Sequence, residues 1–302
     1  MTMPHTRRQL LRRAAALAAA MAVPGLLRAL TPPRRNPDRL AAWTGALRAE
    51  GLVGGDRIGR AAVRVGELAA GSPYEAAMLE AYLRDGGSPR RTEPLALSLD
   101  RFDCVTLVEA CLAVARTARS GDVPTWKRFG REIERMRYRG GRRRSYASRL
   151  HYFSEWIADG ARRGLVRDLG SELGATTDAR PLRFMTEHRA SYPALADDRV
   201  FAGIGAAERR LDGAPRRVVV PARIPEVAGS IRTGDVLAFA TSIPGLDVTH
   251  AAFAYRDRAD VLRVLHAPLS GGVVEVTQAT LPEYVAAIRR CTGILVARPL
   301  HG

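Results

Sequence analysis

The chain has 302 residues, and its apolar share of 46% is ordinary for a globular protein, with material for one large domain or two small ones. A formal net charge of +16, carried mostly by arginine, points to anionic surroundings such as nucleic acid, anionic lipid or an envelope polymer. No zinc-finger spacing and no aromatic RNA-binding motif occurs, which sets nucleic acid aside as a partner.

At the N-terminus, "TRRQLLRRAAALAAAMAVPG" joins a basic segment containing Arg7 and Arg8 to an apolar run from Ala14 to Val23. Near the end of that run, "AMA" at Ala20 to Ala22 offers a small-x-small cleavage pattern. Residues 1–30 therefore read as a bacterial export signal of the twin-arginine type, which places the protein in the periplasm or cell envelope. The apolar run is too short to span a bilayer comfortably, so no stable membrane span is expected once the signal is removed. The Pro-rich, basic stretch "TPPRRNPDRL" is a linker; with the first helix it fills residues 31–55, and a single catalytic domain is expected over 56–302.

Helical patterns run through "LAAWTGALRAEGL" and "SPYEAAMLEAYLRDG", the latter with Ser72 as a cap and Pro73 at the first helical position. "EPLALSLDRF" alternates apolar and polar residues and reads as a short strand. The next segment, "CVTLVEACLAVARTARSG", is a helix with Asp100 or Asp103 as its cap, Arg116 and Arg119 in its last turns, and Gly121 as its stop. Residues 122–220 read mostly as helix and loop. After them come short strands at 234–241, 248–255, 261–268, 272–278 and 293–299, whose Gly, Pro and Asp punctuation predicts a meandering antiparallel sheet. Helices first and sheet later make an α+β protein.

Three cysteines are an odd number for an exported chain. Cys104 and Cys111, seven apart on one helix, lie roughly 10 Å apart along its axis, too far for a disulfide. Cys111 and Cys291 could meet in the core, or each could simply pack there. No Cys or His cluster has zinc-site spacing, and no metal or other cofactor is expected.

Cys104 opens its helix, where the dipole and free amides stabilise a thiolate; a buried cysteine is equally a small hydrophobe. His250 and His266 lie on two late strands. If those strands pair, the imidazoles stand side by side and supply a base and its orienting partner for a cysteine nucleophile. Glu109 faces away from Cys104 and is expected to pair with an arginine of the middle segment. Arg149, with Tyr152 nearby, could grip a peptide carboxylate; His151 could line the cleft or pack; Asp247 could be a turn residue or a substrate contact.

The order of these residues resembles the NlpC-type papain-like superfamily of bacterial cell-wall peptidases and amidases. The likeness is closer to its N-acetylmuramoyl-L-alanine amidase-like branch, known as domain-of-unknown-function family 1460. The runs that carry it are "GSPYEAAMLE", "LSLDRFDCVTLVEACLAVAR", "RYRGG", "SRLHYFSEWIADGARRG", "SYPAL", "GDVLAFATSIPGLDVTHAAFAY" and "LHAPLSGGVVEV", which span about Gly59 to Pro299. Pro268 and Ala252 depart from the small polar residue and the glycine expected there. The resemblance implies a papain-like core, with the cysteine helix packed on an antiparallel sheet and additional helices around it. It implies Cys104, His250 and His266 as catalytic residues and metal-free amide hydrolysis in peptidoglycan or muropeptide fragments. Within it, an amidase cutting between the lactyl group and L-alanine stands beside a γ-D-glutamyl endopeptidase, a non-catalytic envelope-binding protein, and an acyl transferase.

Overall fold

The computed structural model describes residues 36–269 and 272–301; the export signal read at residues 1–30 lies outside them. In chain order the helices longer than one turn are α1 (Asn36–Ala49), α2 (Ile58–Leu68), α3 (Cys104–Arg119), α4 (Trp126–Arg137), α5 (Phe153–Arg162), α6 (Asp198–Leu211) and α7 (Leu281–Ala287). The strands are β1 (Val166–Asp168), β2 (Thr176–Asp178), β3 (Arg216–Val218), β4 (Val236–Thr241), β5 (Val248–Arg256), β6 (Leu262–His266), β7 (Glu275–Val276) and β8 (Cys291–Pro299). The architecture is α+β.

Six strands form one antiparallel sheet in the order β1-β8-β4-β5-β6-β7, and β2 pairs with β3 separately. The meander expected from the sequence holds for β4 to β7. The last strand instead returns to the far side of β4, where Phe239 lies opposite Ile294. Every residue of β4 is buried. That burial follows from the pleat, which sends Val236, Ala238 and Ala240 to one face and Leu237 and Phe239 to the other, each face with its own apolar cluster.

One face carries α3. The helix is apolar nearly all round and accordingly central, in contact with α1, α2, α4 and β5. Asp103 and Thr106 start it with a reciprocal capping box, and Gly121 accepts the left-handed turn after its end at φ +74°. At Gly66 of α2 a Cβ would stand 2.5 Å from Leu265 Cδ2, so glycine there lets the helix lie close on β6. The opposite face is covered by Leu169, Ile224, Leu281 and Val285. A third cluster around Tyr146, Tyr152, Leu195 and Ile204 ties α6 to the segment before α5.

Several local expectations are corrected by tertiary contacts. Helix α1, the first helix read within residues 31–55, buries Leu40, Trp43 and Leu47 in the same core as α3. Ser72 caps no helix: Pro73 bridges Val273 and Tyr74 bridges Phe102, and only short helical turns at Met78–Glu80 and Ala81–Arg84 follow. "EPLALSLDRF" forms no strand: the Leu99 amide donates to Asn36 Oδ1 and only Phe102 makes a bridge. The middle segment contains β1, three residues long, which caps one edge of the main sheet beside β8. No helix among the described residues is long and apolar enough to cross a membrane.

Candidate active site

Cys104 is the first residue of α3. Asp103 before it has extended backbone, and its Oδ1 accepts from the Thr106 amide at 2.7 Å while Thr106 Oγ1 accepts from the Asp103 amide at 2.8 Å. This double lock holds the first turn, and with it the thiol, in one orientation. Amides of Ala251, Val105 and Cys104 itself donate toward the sulfur. Ala251 follows His250, so the start of α3 meets β5 at the histidine.

His250 and His266 meet as the sequence anticipates. Strands β5 and β6 pair antiparallel, Phe253 against Leu265, and the two imidazoles share a hydrogen bond of 2.8 Å between His250 Nε2 and His266 Nδ1. The rings cross at 75°, and the Phe239 ring, opposite on β4, stacks on His250 at a centroid distance of 5.6 Å. Since Nε2 of His250 is committed, Nδ1 is the nitrogen left to take a proton.

Tyr284, from α7, is the member that sequence reasoning missed. Its hydroxyl lies 3.1 Å from His266 Nδ1 and its ring stands edge-on to that imidazole. A tyrosine in the unremarkable run "LPEYV" carries no local signal; only the packing of α7 onto the sheet brings it here.

Electrostatics correct one expectation. The helix start argues for a lowered thiol, yet burial, reinforced by the Asp103 carboxylate, outweighs the amide donors and pushes Cys104 up to about 12. Burial, with the neighbouring His266 second, pulls His250 down to about 3, and burial pulls His266 down to about 4. The Cys104 thiol and both imidazoles are therefore neutral at rest.

The residues read from sequence as substrate contacts have partners within the protein. Buried Arg149 places Nη2 at 2.5 Å from Glu80 Oε1 and 3.6 Å from Glu93 Oε1, with its guanidinium over the Tyr146 ring. His151 Nε2 bonds the Tyr146 carbonyl at 2.9 Å, and burial holds its pKa well below the ordinary value. The Tyr152 hydroxyl donates to Glu208 Oε1 at 2.7 Å. Buried Asp247 accepts from the Ser154 amide at 2.8 Å and the Val248 amide at 2.7 Å. It thus satisfies an orphan amide at the start of α5 and anchors the beginning of β5, three residues before His250. Each of these groups offsets its own burial with an internal partner.

Glu109 pairs with Arg137 at 2.7 Å, both buried, as its position on the far side of α3 foretold. All three cysteines are free; Cys111 belongs to the α3 core and Cys291 packs against the cluster on the opposite face of the sheet, so the two do not bridge. Among the described residues no group of three His, Cys, Asp or Glu side chains could hold a metal ion.

A family model described as AmiA-like, N-acetylmuramoyl-L-alanine amidase-like, matches residues 64–294. Among solved structures, an N-acetylmuramoyl-L-alanine amidase from Bacteroides uniformis ATCC 8492 is similar with a TM-score of 0.73 at 30% identity, over 80% of this chain and 99% of that one. A Bacteroides fragilis protein provisionally named a xylanase is similar with a TM-score of 0.70 at 32% identity, over 78% and 99%. A Legionella pneumophila protein of family DUF1460 shares the fold, with a TM-score of 0.62 at 16% identity over 87% and 94%. None of the curated proteins matches the chain.

Proposed function

The chain belongs to the AmiA-like, N-acetylmuramoyl-L-alanine amidase-like family, and from that premise we propose that it is an exported cysteine hydrolase with a papain-like core. Its substrate is peptidoglycan or a muropeptide, and the bond cut is the amide between the lactyl group of the muramic acid and L-alanine. The observation that carries the reading is the hydrogen-bonded His250–His266 pair on β5 and β6, next in sequence to Ala251, whose amide donates toward the sulfur that opens α3.

In the proposed reaction His250 Nδ1 takes the Cys104 proton as the sulfur attacks the lactyl carbonyl. The Cys104 amide, at the positive end of α3, meets the oxyanion. His250 returns the proton to the departing L-alanine nitrogen, leaving a lactyl thioester. Water, deprotonated by the same imidazole, then releases the acid and the free thiol. His266 holds the His250 ring through Nε2 and supports the transient imidazolium. The basic N-terminal segment at residues 1–30 supports delivery to the envelope, where this polymer is found.

Digestion of defined muropeptides, read by mass spectrometry, tests the assignment. Free stem peptide beginning with L-alanine, together with the intact sugar, is the expected result. A sugar that keeps L-Ala-D-Glu would overturn the assigned bond in favour of an endopeptidase. Cys104→Ala is expected to abolish cleavage with folding retained, because losing the nucleophile of such a constellation costs a factor of at least ~1000.

A further inference from the structure

The second imidazole of the pair has one nitrogen engaged and one unpartnered. His266 Nδ1 faces His250 Nε2 and the Tyr284 hydroxyl. His266 Nε2 is buried and has no hydrogen-bond partner among the described residues, an arrangement that calls for an explanation in a folded protein. Glu275 Oε1 stands 3.8 Å from it.

The fold sets this proximity. Glu275 on β7 is the cross-strand partner of His266 on β6, so their Cβ atoms are held within side-chain reach by the ladder itself. The Glu275 side chain is 46% exposed whereas that of His266 is 2% exposed. A hydrated carboxylate on the surface can therefore turn the remaining fraction of an ångström toward a ring that cannot move.

The chemistry depends on which nitrogens carry protons. The His250 Nε2–His266 Nδ1 bond holds one proton. If it sits on His250, then Nδ1 of His250 is bare and basic, and the His266 proton must sit on Nε2. If it sits on His266 instead, Nδ1 of His250 carries hydrogen and cannot deprotonate a thiol. A carboxylate beside His266 Nε2 favours the first arrangement, because it attracts an N–H and repels a lone pair.

We propose that Glu275 is a positioning residue that keeps the His266 proton on Nε2 and so holds His250 in the tautomer able to accept the Cys104 proton. The proposal rests on the cysteine-hydrolase reading above. During attack the thiol proton passes to His250 Nδ1, the Nε2 proton stays shared with His266, and Glu275 balances the charge on the pair without itself taking a proton.

The test uses the full chain with 15N-labelled histidine and the variant Glu275→Gln, whose amide offers both a donor and an acceptor and so biases neither tautomer. In the unaltered protein the ring nitrogens of His250 and His266 are expected to report hydrogen on Nε2 in both. Glu275→Gln is expected to show a population of His266 with hydrogen on Nδ1, a kcat about five- to tenfold lower as befits a half-exposed charge, and an unchanged KM and melting temperature. Unaltered tautomers in Glu275→Gln overturn the proposal. The two readings fail separately: a Cys104→Ala protein that still cleaves muropeptide overturns the cysteine assignment, whereas an inactive Cys104→Ala beside unaltered Glu275→Gln tautomers overturns only the role of Glu275.

Discussion

Cys104 and His250 are held neutral by the same cause, loss of water around the charged form, acting in opposite directions on an acid and a base. A histidine whose pKa is lowered stays a competent base until the pH falls through its folded value. With His250 near 3 and His266 near 4, the acid limb of kcat/KM is expected below pH ~5 instead of near the ordinary imidazole value of ~6.5. A pH–rate profile on a defined muropeptide checks this, and an acid limb near 6.5 would contradict the neutral pair. Asp103 bears on the thiol from the other side. In Asp103→Asn the cap is retained, since asparagine caps as well as aspartate, while the carboxylate that opposes the thiolate is gone. The variant is expected to melt close to the unaltered protein and to be alkylated at Cys104 with a midpoint shifted to lower pH. Iodoacetamide labelling rates across pH measure that shift.

Helix α3 both carries the proposed nucleophile and forms the centre of the larger core, so its supports on the far side matter to the site. Glu109 and Arg137 form a buried pair at 2.7 Å, and Arg137 also donates to the Ala96 carbonyl at 2.7 Å. Removing one partner leaves a charge in the core without its counterpart. Glu109→Ala is expected to cost about 3–5 kcal/mol of stability, and Glu109→Gln, which keeps an acceptor, clearly less. Urea denaturation followed by circular dichroism separates the two. On β5, Asp247 plays the corresponding part: it ties the strand's start to α5 and so fixes the point from which His250 projects.

At the scale of the whole molecule, the compact unit reaches back to α1, whose Leu40, Trp43 and Leu47 are buried against α3. A chain lacking residues 1–35 is expected to fold and to cleave muropeptide like the full chain. One lacking residues 1–50 uncovers the apolar surface of α3 and loses three large buried side chains, each worth about 1.5–3 kcal/mol. It is expected to unfold well below the melting temperature of the longer chain, as differential scanning calorimetry would show. Equal stability of the two truncations would remove α1 from the core.

What the sequence determined by itself is local or periodic. A helix capped by Asp100 or Asp103, the apolar run of α3, the Gly121 stop and the short strands β4 to β6 set off by Gly, Pro and Asp each follow from neighbouring residues in the chain. So does the adjacency of His250 and His266, because two successive strands joined by a tight turn have little choice but to pair. Tertiary structure alone decided what depends on partners distant in the chain. It inserted β8 between β1 and β4, left "EPLALSLDRF" with a single bridge in place of a strand ladder, brought Tyr284 and Glu275 to His266, and gave Arg149, Tyr152 and Asp247 internal partners. It also reversed the expected shift of the Cys104 thiol. A helix terminus can be read from a few consecutive residues, whereas desolvation is the sum of everything that packs around the sulfur, and that sum exists only once the chain has folded.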